Sequence, residues 1–111
     1  MAQIIDITKK ITNELPMVKI TDELVVTVNN RKNTIMSLQA MVEEEERKTK
    51  EDGTFNELDM IRKSMTVLVG AKAADEVEAL NLPLPEYKTV YQAIMAAATG
   101  ASMEEVAGRF Q

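Results

Sequence analysis

The chain has 111 residues, 13 basic and 18 acidic side chains, a net charge of −5, and no cysteine, histidine or tryptophan. Without cysteine there is no disulfide, thiol nucleophile, iron–sulfur cluster or zinc finger, and without histidine no Ser-His-Asp triad or imidazole ligand. With 45% hydrophobic and 28% charged residues the composition is that of one globular domain over 1–111, divided into an N-terminal segment (1–30) and a helical part (31–111).

Residues 4–15 admit two readings. The β-branched content favours a strand at 4–7. Alternatively Asp6 caps a short helix that sets Ile7, Ile11 and Leu15 on one face and stops at Pro16. Residues 17–29 carry the clearest β signal. Val18 and Ile20 alternate with Lys19 and Thr21, and Leu24, Val26 and Val28 alternate with Val25 and Thr27. The polar Thr21-Asp22-Glu23 between them predicts a hairpin, and Val25 suggests that part of its second face is covered as well.

Asn29, Asn30, Asn33 and Thr34 are turn and cap residues, and a helix is expected over 34–50, with Ile35, Leu38 and Met41/Val42 on its inner face. Its second half, EEEERKTK, offers three acid-first i, i+4 pairs: Glu43–Arg47, Glu44–Lys48 and Glu46–Lys50. That run reads as a solvated helix face, with a docking surface as the alternative. Glu51-Asp52-Gly53 breaks the helix, and Thr54 to Glu57 is a capping box for the next. Leu58, Ile61, Met65 and Leu68 form a core stripe; the β-branched Thr66, Val67 and Val69 leave a strand at 66–69 open.

Gly70 ends or kinks this helix. A short helix over 73–80 buries Val77 and Leu80 and exposes Asp75, Glu76 and Glu78. Pro83 and Pro85 stiffen the next connection, and a helix over 85–99 carries Tyr87, Val90/Tyr91, Ile94 and Ala97/Ala98 along one side, with Gly100 as its stop. A second capping box, Ser102 to Glu105, opens a last short helix through 109. The fold class is α+β, mainly helical: an N-terminal β-hairpin, then four to five helices in one small domain.

No catalytic, cofactor or metal constellation emerges. The carboxylates of Glu43 to Glu46 and of Asp75, Glu76 and Glu78 lack the alternating spacing of a calcium loop. Gly53, Gly70, Gly100 and Gly108 match no phosphate-binding pattern. Segments 1–30, 31–56, 57–83 and 84–111 carry −1, −1, −2 and −1, so no basic stripe suits nucleic acid. The apolar stretches 65–71 and 93–98 are too short to span a bilayer, and the N-terminus lacks a signal-peptide pattern, so a cytoplasmic protein is expected. The chain reads as a non-enzyme.

The eight methionines are the most suggestive feature of the composition. Met36, Met41, Met60, Met65, Met95 and Met103 fall on predicted helices. They either fill a core poor in aromatics or line a groove for partner helices. Met65 reads as core. Met36 and Met60, off the main stripes, and Tyr87, Tyr91 and Met95 on the 85–99 helix are the candidate partner-binding residues.

Segment 79–100, ALNLPLPEYKTVYQAIMAAATG, resembles the C-terminal part of the tail assembly chaperones of long-tailed (siphovirus-type) bacteriophages and prophages of Gram-positive bacteria. In that family a short helix, an L-x-L-P connection and a Y-x-x-V-x-x-A-I/L helix ending in Gly recur. Segment 11–30, ITNELPMVKITDELVVTVNN, is similar to the family's L-P-x-V-K-I hairpin. The two segments span under half of the chain, and the charged run 43–52 matches no pattern of the family.

The resemblance implies a small acidic chaperone of the bacterial host cytoplasm. It would coat the helical, aggregation-prone tape measure protein until the major tail protein polymerises around it, and would be missing from the finished virion. It also implies that the chain is the short form of a pair related by a ribosomal frameshift. Covering a long client takes many copies, so a homo-oligomer, built through the hairpin edge or a helix face, is expected. The alternatives are a small tail-completion or connector subunit of the virion and a helical regulator of a host enzyme.

Overall fold

The computed structural model describes residues 3–53 and 56–101. Two short strands, β1 (Met17–Lys19) and β2 (Val25–Thr27), form an antiparallel hairpin. Four helices follow among the described residues: α1 (Lys32–Asp52), α2 (Glu57–Val69), α3 (Ala71–Ala79) and α4 (Leu84–Thr99). The architecture is α+β and mainly helical, as the hydrophobic periods predict.

The hairpin register pairs Met17 with Thr27, Val18 with Val26 and Lys19 with Val25. Thr21 closes the turn, its hydroxyl accepting from the Leu24 N–H at 2.9 Å. Val26 and Val28 point into the core, and Val18, Ile20 and Leu24 pack against it. Val25 lies on the open face of the hairpin and is exposed, so the expected cover over that face is not supplied by the described part of the chain.

Residues 4–15 adopt neither of the structures expected of them. Only a single 3-10 turn forms, Thr8–Lys10, and Asp6 Oδ1 accepts from the Thr8 N–H at 3.0 Å and its hydroxyl at 2.8 Å. The isoleucines that would define a helical face find no neighbouring element: Ile4, Ile5, Ile7 and Ile11 are all exposed. Without an apolar face to bury, so short a helix does not repay its nucleation.

Helix α2 is the hub. It packs against α1, α3 and α4, and α4 in turn lies on β1. The core combines Val26 and Val28 with Leu38, Ile61, Met65, Leu68, Val77, Val90, Tyr91, Ile94 and Ala98. Thr66, Val67 and Val69 are helical, because Met65 and Leu68 on the same segment are fully buried and the Thr66 hydroxyl bonds back to the Arg62 carbonyl at 2.9 Å. Helix α1 begins at Lys32, two residues ahead of the expected start, and keeps Leu38 buried with Ile35, Met41 and Val42 at the core edge.

Helix boundaries follow local chemistry. Gly53 ends α1 in the left-handed conformation (φ 71°), returning its N–H to the Thr49 carbonyl at 2.7 Å. Asn56 caps α2, its side chain accepting from the Asp59 N–H at 3.1 Å, whereas Thr54 of the expected capping box lies outside the described residues. Gly70 (φ 89°, ψ 160°) separates α2 from α3 by a single residue. The second capping box, Met103 and the last helix also lie outside the described residues.

The charges of α1 pair differently from the expected i, i+4 set. Arg47 reaches Glu44 at 2.6 Å and Glu51 at 2.7 Å, and Glu45 bonds Lys63 of α2 at 2.7 Å. The last of these joins two helices, and Asp59 holds the same lysine at 3.1 Å. The guanidinium beside Glu44 holds that carboxyl below the usual carboxylate range, first through the hydrogen bond and then through charge.

Candidate functional site

A cleft of about 430 Å³ opens where the start of α2, the end of α3 and the start of α4 meet. Three local decisions make it. Asn56 starts α2 one turn before that helix meets the core, so Leu58 stands at the rim, 47% exposed. Asn81 then adopts φ 48° just after α3, a conformation that asparagine tolerates better than most side chains, and turns the chain toward α4. Finally, Pro83 caps α4 in extended geometry (φ −54°, ψ 149°), and Leu82, partly buried, and Leu84, half-exposed, flank it in the lining of the cleft.

Val77 is fully buried at the cleft, and Tyr87 lies across it, half-buried, donating its hydroxyl to the Glu78 carboxylate. Burial, then that hydrogen bond and the adjacent negative charge, push the Tyr87 phenol well above its ordinary value, while Arg62 pulls weakly the other way. Tyr87 therefore remains a neutral donor over the whole physiological range. Asp59, Arg62, Asn56 and Asn81 supply a polar rim. Beside the cleft, Lys88 and Glu57 form an ion pair at 3.3 Å that ties α4 to α2. A concave surface with three leucines and charges of both signs in its lining suits apolar side chains of a partner, and the volume lies in the lower part of the roughly 300–1,000 Å³ range of binding pockets.

The five residues expected to bind a partner are not gathered in one place. Tyr87 lies in the cleft. Met36 is exposed on α1. Met60 is half-buried beside a polar depression between α1 and α2 lined by Glu45, Lys48 and Asp52. Met95 packs against the core. Tyr91 is 6% exposed and belongs to the core itself, its phenol raised by burial and in hydrogen-bond contact with Ser64, whose hydroxyl also reaches the Met60 carbonyl at 2.8 Å.

Leu58, Leu82 and Leu84 are the cleft residues that sequence reasoning missed. Leu58 sits on the α2 stripe and was expected in the core; Leu82 and Leu84 lie in the L-P-L-P connection, where the paired prolines are the only signal. Among the described residues no group of three acidic side chains is placed to hold a metal ion, and no helix is long and apolar enough to cross a membrane. Comparison with family models, with curated proteins and with solved structures gives no match to this chain.

Proposed function

We propose that this chain is a binding module that works as a phage tail assembly chaperone, holding apolar helical segments of the tape measure protein in the bacterial cytoplasm before the tail polymerises. The observation that carries the proposal is the cleft between α2, α3 and α4, whose lining includes Leu58 and Leu84, both half-exposed, together with Leu82, Val77 and Tyr87. An amphipathic client helix presents apolar anchors at i, i+3 and i+4, the kind of side chain that a cleft lined by leucines and valine receives. The sequence supports the same reading through the L-P-L-P connection that shapes the cleft and through the lack of histidine and cysteine.

The test is co-expression with a tape measure protein as client. The client is expected to be soluble and co-purify with the wild-type chain, and to be lost with the variant L58D/L84D, whose own far-UV circular dichroism stays native because both positions are half-exposed. A client that is equally soluble without the chain overturns the proposal. Recovery of the chain from purified virions would assign it to the tail structure instead.

A further inference from the structure

We propose that the N-terminal arm, residues 4–11, is exchanged between two copies of this chain, segment 4–7 pairing as a third strand with the open edge of β2 in the other copy. Ile4, Ile5, Ile7 and Ile11 are 88, 80, 49 and 62% exposed, a row of large β-branched side chains that joins no hydrophobic cluster among the described residues. Segment 4–6 has no regular secondary structure and no backbone ladder partner, and Ile7 (φ −114°, ψ 11°) leads into the 3-10 turn, so pairing as a strand requires that turn to open.

The receiving edge is equally incomplete. Ile20 donates to the Leu24 carbonyl and Val28 to the Pro16 carbonyl, so the hydrogen-bonded pairs of the hairpin fall on even-numbered residues. Val25 and Thr27 consequently turn their N–H and C=O groups outward, and no backbone group among the described residues bonds them. The edge is open at Val25 and Thr27, with no charged side chain or proline there, and ends at Asn29, whose N–H is taken by the Leu68 carbonyl of α2, whereas α4 lies on β1 and β1 bears Lys19. The arm enters the hairpin through β1, so reaching the far edge of its own β2 would require crossing the sheet. A second copy has no such obstacle. Added there, the period of two puts Ile5 and Ile7 on one face of the sheet and Ile4 and Asp6 on the other, and the register that sets Ile5 and Ile7 beside Val26 and Val28 keeps the Asp6 carboxylate off that apolar face.

The area favours reciprocal exchange. At about 100 Å² of apolar side chain per isoleucine, the four exposed fractions offer about 280 Å², and one arm covering an equal area on its acceptor buries about 560 Å². A single exchange falls short of the roughly 1,000 Å² a specific interface needs, and two symmetric exchanges reach it.

Sedimentation equilibrium of the full chain, from micromolar to millimolar concentration, tests the proposal. The wild type is expected to be a dimer. I5D/I7D is expected to weaken it about 10,000-fold, two isoleucines in each of two exchanged arms at about tenfold each. V25P removes an outward N–H from each of the two receiving edges without breaking a β1–β2 bond and is expected to weaken it about 100-fold, about tenfold per lost hydrogen bond. Far-UV circular dichroism confirms that each variant keeps its helices, and if I5D/I7D loses them, V25P decides. A wild type that stays monomeric overturns the proposal, as does a dimer that survives either substitution in a folded variant.

Discussion

Leu58 and Leu68 lie on one apolar stripe of one helix, and truncating each to alanine separates what the stripe alone treats as equal. Leu68 is fully buried, so L68A loses its transfer free energy and leaves a cavity, a cost of about 3 kcal/mol. Leu58 is 47% exposed, so L58A loses about half of the transfer of three carbons and encloses no cavity, about 1 kcal/mol. For a chain of 111 residues the unfolding entropy is about 230 cal/mol/K, so melting temperatures should fall by about 13 °C for L68A and about 4 °C for L58A. Against a total stability of about 5–15 kcal/mol the larger loss leaves a folded but weakened protein. Differential scanning calorimetry with urea titration at one temperature measures both. Losses equal within 1 kcal/mol, or an L68A loss below 1 kcal/mol, would refute the assignment of Leu68 to the core and Leu58 to the cleft rim.

Three further outcomes follow from the same geometry. N56A removes the side chain that receives the Asp59 N–H and should cost about 1 kcal/mol, with N56S recovering most of it; urea midpoints decide. G53A should cost about 1 kcal/mol through backbone strain alone, because φ is 71° and an added Cβ meets nothing within 4 Å, and G53N should cost less. Both tyrosines, Tyr87 and Tyr91, hold their protons more tightly in the folded than in the unfolded chain. The stability this contributes is full below about pH 10 and is lost as pH rises above it, so phenolate absorbance should appear together with loss of helicity. Phenolate forming at the ordinary tyrosine value in a fully helical protein would contradict this.

The parts of the fold legible in the sequence are those whose cause is local. The alternation of Val18 and Ile20 against Leu24, Val26 and Val28 locates the hairpin and its inner face. Gly53, Gly70, Gly100 and the two prolines mark helix boundaries, since each acts through its own φ angle or missing donor. What the sequence left open depends on distant neighbours. Ile4, Ile5 and Ile7 suit a strand and fit a helical face as well, and with no element beside them the backbone takes a turn instead. Tyr87 and Tyr91 lie one turn apart on the same side of α4; only the line along which α2 crosses that helix, with Ser64 facing Tyr91, makes one core and the other cleft. Glu43 to Glu51 offer Arg47 several partners of equal spacing, and side-chain rotamers choose Glu44 and Glu51.

At Asn29 the backbone N–H leaves the hairpin and bonds the Leu68 carbonyl at 2.8 Å, in the last turn of α2. That carbonyl belongs to the set a helix end leaves unpaired, so the strand acts as the C-terminal cap of a helix that begins 28 residues further along the chain. A two-stranded ribbon has little stability alone, and here its register is tied to the end of the hub helix. The two elements are thereby made to order together, and the Asn29 amide should exchange its hydrogen for solvent deuterium only when the whole core opens.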